Sequence, residues 1–132
     1  MAVTQRPIEL IQARSLIASL TTAGFLVDGA GTLLFYNEAA GELLGMSFEQ
    51  AGEMERDQWG TRFRPRAPGG DELGVDELPL TTALREGEPG HARIEITGAD
   101  GEEHELAVSA IPIRGRGGQH GAFAIFWPVP TR

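Results

Sequence analysis

The run Gly121-Ala-Phe-Ala-Ile-Phe-Trp127 alternates from side to side without turning polar. Successive residues of a strand point to opposite faces, so Phe123 and Ile125 share one face while Ala122, Ala124 and Phe126 share the other. Both faces are apolar, which places the strand inside a sheet covered on both sides. The chain must supply those two covers, and its 132 residues suffice for one packed core but not for two full domains. The longest uninterrupted apolar stretch, Ala122 to Val129, is far short of the roughly 20 residues that a membrane-spanning helix needs. The opening Met-Ala-Val-Thr-Gln-Arg-Pro lacks the apolar core of a secretory signal. A cytoplasmic protein with no membrane partner is expected.

A cover for one face is legible at the start of the chain. From Pro7 to Leu20 the residues Leu10, Ala13, Ile17 and Leu20 recur at helical spacing, with Gln12, Ser15 and Ser19 on another face. The spacing predicts an amphipathic helix, and Ile11 and Leu16 widen its apolar stripe. Two short strands follow, Phe25–Asp28 and Thr32–Tyr36, joined at Gly29-Ala-Gly31. Asn37 is placed to cap a helix through Ala40, Leu43 and Leu44 that Gly45 closes. Ser47 and Gln50 have the spacing of a capping box for a further short helix ending at Gly52.

Between Glu53 and Val75 the arginines, Pro65, Pro68 and Gly69-Gly70 predict a loop. Pro79 starts a helix that carries Leu80 and Leu84 on one face and stops at Gly87. The period then becomes two. His91–Thr97 alternates with Ala92, Ile94 and Ile96 on one side; Glu102–Ile113 and Gly121–Trp127 complete three strands, with a glycine-rich tip at Arg114–Gly118.

Two strands, a run of short helices and three antiparallel strands is the element order of the PAS domain, and the resemblance runs from about Gly24 to Val129. Gly24-Phe-Leu-Val-Asp-Gly-Ala-Gly-Thr-Leu-Leu-Phe-Tyr-Asn-Glu-Ala-Ala-Gly-Glu-Leu-Leu-Gly45 is similar to the opening hairpin and first helix of that family. Asp76–Gly87 resembles the stretch before the third strand in many bacterial members, and Ser109–Ile113 and Gly121–Phe126 resemble the last two strands. The implied fold is α+β: a five-stranded antiparallel sheet with short helices on one face and the N-terminal amphipathic helix in addition. The implied division is residues 1–22 for that helix, as a dimerisation or capping element, and 23–130 for the PAS-like domain. At the end, Pro128-Val-Pro130 stands where many members carry Asp-Ile-Thr before a helical linker to an effector, and proline cannot propagate a helix.

Composition then narrows the function. Nineteen acidic against eleven basic residues give a net charge of -8, which repels a phosphate backbone, so nucleic acid is not an expected partner. All eleven basic residues are arginine, which removes Schiff-base and P-loop lysine chemistry. The absence of cysteine removes disulfides, thiolate metal sites and cysteine nucleophiles. It also removes the photocycles of the light-oxygen-voltage and photoactive yellow classes of the family, which use cysteine for their chromophore chemistry.

Gly69-Gly-Asp-Glu-Leu73 resembles the signature of diguanylate cyclases, but it lies in a Pro/Gly-rich loop and reads as an acidic surface loop. His91, His104 and His120 lack i, i+4 metal spacing, and none falls on the helix where haem-binding PAS members usually place their ligand; solvated or locally bonded histidines are expected. No serine has an evident base and orienter, so no enzyme is expected. Metal sites are likewise not expected.

The expected function is a signalling module that binds a small apolar ligand or a signalling protein partner and forms a homodimer. Nothing in the sequence specifies the ligand. A cavity between sheet and helices would be lined by Tyr36, Leu43, Leu44, Trp59, Leu80, Leu84, Ile94, Leu106, Val108, Phe123 and Ile125. A dimer contact would use Leu10, Ala13, Ile17 and Leu20 with Ala107, Ile111, Ala122, Ala124 and Phe126 of the outer sheet face. The alternatives are a ligand-free dimerisation domain and a small nucleotide enzyme using the Gly69–Leu73 loop.

Overall fold

The computed structural model describes residues 8–115 and 117–129. The expected helix start at Pro7, part of the tip between the last strands, and the closing Pro130, Thr131 and Arg132 lie outside the described residues. In chain order the elements are α1 (Ile8–Ser19), β1 (Ala23–Asp28), β2 (Leu33–Tyr36), α2 (Glu38–Leu44), α3 (Phe48–Ala51), α4 (Arg56–Arg62), a 3₁₀ turn (Val75–Glu77), α5 (Pro79–Glu86), β3 (Gly90–Thr97), β4 (Glu103–Gly115) and β5 (Gly118–Pro128). The strands form one antiparallel sheet in the order β2-β1-β5-β4-β3. The apolar strand β5 is therefore central, as its two apolar faces require.

The caps form as the spacing predicts. The Asn37 side chain accepts from the Ala40 amide at 3.0 Å, and Gly45 ends α2 in the left-handed region at φ 74°. Ser47 and Gln50 make the capping box of α3, and Pro79 and Gly87 bound α5.

The Glu53–Val75 stretch is not a continuous loop. Its first part forms α4, whose start is held by the Gln58 side chain accepting from the Glu55 amide at 2.9 Å. Trp59 and Phe63, four residues apart, turn inward there and are buried. The Pro/Gly bias begins only at Pro65, so composition averaged over the whole segment hides the helix. Beyond it, Phe63 and Arg66 bond along the β3 edge: Arg66 and Glu95 exchange two backbone bonds of 2.8 Å, and the Thr97 amide donates to the Phe63 carbonyl at 2.8 Å. The C-terminal half of the β3 edge is thereby covered against pairing with another chain.

Strand register assigns the faces. Val108 stands opposite Phe126, Ala110 opposite Ala124 and Leu106 opposite Pro128. Leu106, Val108, Ala110, Ala124 and Phe126 of this set, with Phe25, Val27, Ile94 and Ile96, face the short helices and form the main core. The opposite set pairs Ile111 with Phe123, Ser109 with Ile125 and Ala107 with Trp127. The expected faces of β5 are thus exchanged: Phe123 and Ile125 are outside, whereas Ala122, Ala124 and Phe126 are inside. Alternation separates the two sets but cannot say which faces the helices when both are apolar.

Helix α1 lies on the outer face of its own sheet, where Leu10 and Ile17 pack with Leu26, Leu34, Ile113, Phe35 and Phe123. Gly24 permits the approach, since a Cβ there would lie 2.7 Å from Ile17 Cγ2. The Arg14 guanidinium stacks 4.5 Å from the centre of the Phe35 ring and adds a cation–π contact. The helix does not carry one stripe: Ile8, Ile11 and Leu16 point away from the sheet and are 62, 54 and 60% exposed.

Candidate functional site

An apolar cavity of about 80 Å³ lies between the inner sheet face and the short helices. Its walls come from every part of the domain: Phe25 of β1, Leu44 of α2, Trp59 of α4, Phe63 and Pro65 of the edge segment, Leu80 of α5, and Ile94, Leu106, Val108 and Phe126 of the last three strands. Six of these ten residues are aromatic or β-branched, which are stiff side chains. Trp59 is fixed further by its indole N–H, which donates to the Gly31 carbonyl at 2.7 Å. Phe25 meets the Trp59 ring edge-on at 5.4 Å and stacks on Tyr36 at 5.9 Å. Rigid walls hold the space open instead of collapsing into it.

Of the expected lining residues, the structure brings Leu44, Trp59, Leu80, Ile94, Leu106 and Val108 to the cavity. Tyr36, Leu43 and Leu84 belong to the same core without touching the cavity, and Phe123 and Ile125 stand on the other side of the sheet. Phe25, Phe63, Pro65, Leu78, Pro79, Ile96, Ala124 and Phe126 complete the lining. Ile96 lies on an alternating strand, within reach of periodicity, whereas Phe25 lies on β1, which is buried at nearly every residue. Phe63 and Pro65 sit in a stretch whose composition signals loop.

Tyr36 closes the core near α2. Its hydroxyl donates to the Met46 carbonyl at 2.6 Å. Burial raises its pKa above the ordinary value of 10.0, opposed by the nearby Arg62 charge.

The set expected at a dimer contact is divided by the sheet. Leu10 and Ile17 are buried under their own subunit, and Ala122, Ala124 and Phe126 are buried beneath the short helices. None of these five is available to a second chain in this arrangement. Ala13 and Leu20, with Ala107 and Ile111 of the outer face, are half-buried.

The polar motifs go elsewhere. Asp71 and Glu72 of Gly69–Leu73 are exposed, while Leu73 packs against the core. No group of three or more His, Asp or Glu among the described residues is placed to hold a metal ion. His91 Nδ1 lies 2.8 Å from Ser109 Oγ on the exposed outer face, and His120 Nε2 lies 3.6 Å from Glu9. His104 departs from the expectation of a solvated or locally bonded ring, because its Nε2 is buried with no hydrogen-bond partner among the described residues. None of the three histidines lines the cavity. Arg62, Arg64 and Arg66 go to different places: Arg62 ends α4 beside Met46, Arg64 is in the left-handed region at φ 50°, and Arg66 pairs with Glu103 at 3.3 Å. No helix of the described residues is long and apolar enough to cross a membrane.

No protein-family model matches the sequence, and no curated protein does. Solved structures do match. A PAS domain from Colwellia psychrerythraea superimposes with a TM-score of 0.65 over 93% of this chain and 98% of its own, at 21% identity. The PAS domain of BvgS from Bordetella pertussis gives 0.62 over 94% and 88%, at 17% identity. A LOV protein from Rhodobacter sphaeroides gives 0.71 over 94% of this chain and 69% of its own, at 16% identity. Sheet order, helix placement and these superpositions agree: the chain has the PAS fold.

Proposed function

We propose that this chain is a sensory module that takes a small apolar group into the cavity and transmits its occupancy to α1, with residues 1–22 acting as a dimerisation and capping segment on the domain of residues 23–130. The observation that carries the reading is the cavity itself, walled by residues from both ends of the fold. Its ~80 Å³ is roughly half the ~150 Å³ that admits benzene, so it suits a group of about three or four carbons and not a tricyclic ring.

Two routes connect it to α1. In β5, Ala124 and Phe126 line the cavity from one face while Phe123 packs under α1 from the other. In α2, Leu44 lines the cavity and the capping Asn37 bonds the end of α1. A group that moves either element changes the seat of α1. The interaction half of the reading rests on Ile8, Ile11 and Leu16 of α1 and on Trp127, all apolar and turned outward. A second copy of the chain is the partner assigned to them.

Xenon is a fitting probe because it enters small dry cavities. Methyl shifts of Ile94 and Ile96 are expected on xenon addition, together with altered hydrogen exchange along α1. Leu106→Trp fills the cavity and should abolish both. Shifts that persist in a folded Leu106→Trp variant, or xenon uptake that leaves α1 unchanged, would overturn the proposal.

A further inference from the structure

Thioether sulfur is the softest nucleophile in this cysteine-free chain, and three methionines carry it. Met1 lies outside the described residues. Met54 is 6% exposed and belongs to the main core. Met46 is half-buried in the turn between α2 and α3, where the Arg62 guanidinium donates from Nη2 to its Sδ at 3.4 Å. That contact is the only side-chain hydrogen bond of Arg62 among the described residues. A thioether is a weak acceptor, so a cation with five donors is poorly matched to it.

The backbone fixes where this sulfur stands. The Met46 amide donates to the Gly41 carbonyl at 3.1 Å, and the Met46 carbonyl accepts from the Tyr36 hydroxyl at 2.6 Å. Arg62 is the last residue of α4, the helix whose Trp59 walls the apolar cavity. The contact between Sδ and Nη2 therefore links the α2–α3 turn to the end of α4 through two side chains.

We propose that Met46 is a site of reversible oxidation by a hydroperoxide and that Arg62 receives the product. One sulfur lone pair accepts from Arg62, and the other is left for the oxidant. That second pair attacks one peroxide oxygen: an S–O bond forms and the O–O bond breaks. The sulfur is oxidised to a sulfoxide, the peroxide is reduced, and the proton of the transferred oxygen passes to the departing hydroxide to give water. The sulfoxide oxygen is a strong acceptor beside an exposed guanidinium. A weak N–H···S contact thus becomes a charge-assisted N–H···O bond, roughly twice as strong as a neutral one. Oxidation at Met46 tightens α4 onto the turn, whereas the same change at Met54 would place a polar group in the core. A methionine sulfoxide reductase restores the thioether.

The test treats the full chain with hydrogen peroxide and follows each methionine by peptide mass spectrometry. Met46 sulfoxide should form at least about tenfold faster than Met54 sulfoxide. Urea unfolding and amide exchange then separate a product held by Arg62 from a side chain that is merely accessible. Oxidation should leave the unfolding midpoint of the native chain unchanged or higher and slow exchange at the end of α4; in Arg62→Ala it should lower the midpoint. Met46→Leu should show no peroxide response in either measurement. Met46→Gln, whose side-chain carbonyl stands in for the sulfoxide oxygen, should slow the same amides without oxidant. Equal rates at Met46 and Met54, an equal loss of stability with and without Arg62, or a peroxide response that survives in Met46→Leu would overturn the proposal.

Discussion

The side-chain amide of Asn37 donates to the Ile17 carbonyl at 2.9 Å while its oxygen accepts from the Gly24 and Ala40 amides at 3.0 Å, so one buried residue ties the end of α1 to β1 and to the start of α2. A second donated bond, to the Thr22 carbonyl at 2.9 Å, leaves the group fully used. At 3% exposure, water cannot replace these partners. Asn37→Ala should lower stability by about 3 kcal/mol in urea unfolding, the sum of a lost helix cap and backbone groups left unpaired. Asn37→Asp keeps the acceptor and loses the donor. It should retain slow hydrogen exchange in α2 and speed exchange at the C-terminal end of α1; equal acceleration in both helices would refute this division of labour.

Tyr36 supplies a pH dependence of definite sign. Its phenol is buried and its pKa lies above the ordinary 10.0, so the folded state favours the neutral form. The contribution is fully present below pH about 10, where the unfolded chain is also protonated, and is lost as pH rises from there through the higher folded value. Tyr36→Phe should flatten that alkaline decline while losing the bond to Met46. Tyr36 is the single tyrosine of the chain, so an ultraviolet titration reads it alone. A phenol that titrates at its ordinary value would remove the basis of this prediction.

Much of this architecture was legible from short-range chemistry. Asn37, Gly45, the Ser47–Gln50 pair, Pro79 and Gly87 act within one or two turns of themselves, so their local sequence carries their meaning. What escaped depends on long-range partners. The face on which Ala124 and Phe126 lie is decided by pairing with Ala110 and Val108, and nothing in β5 itself distinguishes it from the face of Phe123 and Ile125. The apolar residues of α1 mislead for a related reason. Leu10 and Ile17 cover the sheet, while Ile11 and Leu16, one residue along from them, fall on the two flanks of that face and are exposed.

The cavity sets apart two alanines that face each other across β4 and β5. Ala110 and Ala124 are both buried on the inner face, but only Ala124 lines the cavity. Ala124→Val should therefore be accommodated within about 1 kcal/mol and reduce xenon uptake, since the added methyls enter existing space. Ala110→Val has no such space and should cost about 1–3 kcal/mol by overpacking, with xenon uptake retained. Equal costs at the two positions would place the free volume elsewhere.

The association of two chains is predicted to use the side of α1 turned away from the sheet. Ile8, Ile11 and Leu16 stand more than half exposed there, and Trp127 is 43% exposed on the outer face of β5. Exposed large apolar groups of this kind suit a contact with another chain, because leaving them in water forgoes roughly 25 cal/mol for each Å² that a partner would cover. Leu10 and Ile17 are spent on the chain's own sheet, so charging them tests folding and not association. Ile11→Glu with Leu16→Glu should convert a dimer of about twice the 14.2 kDa chain mass into a folded monomer whose unfolding midpoint no longer depends on protein concentration. Leu10→Glu with Ile17→Glu should instead release α1 and lower the midpoint. Light scattering that finds the unaltered chain monomeric at high micromolar concentration would refute the dimer, and dissociation by the Leu10 and Ile17 pair alone, with stability intact, would show that α1 sits on the partner's sheet instead of its own.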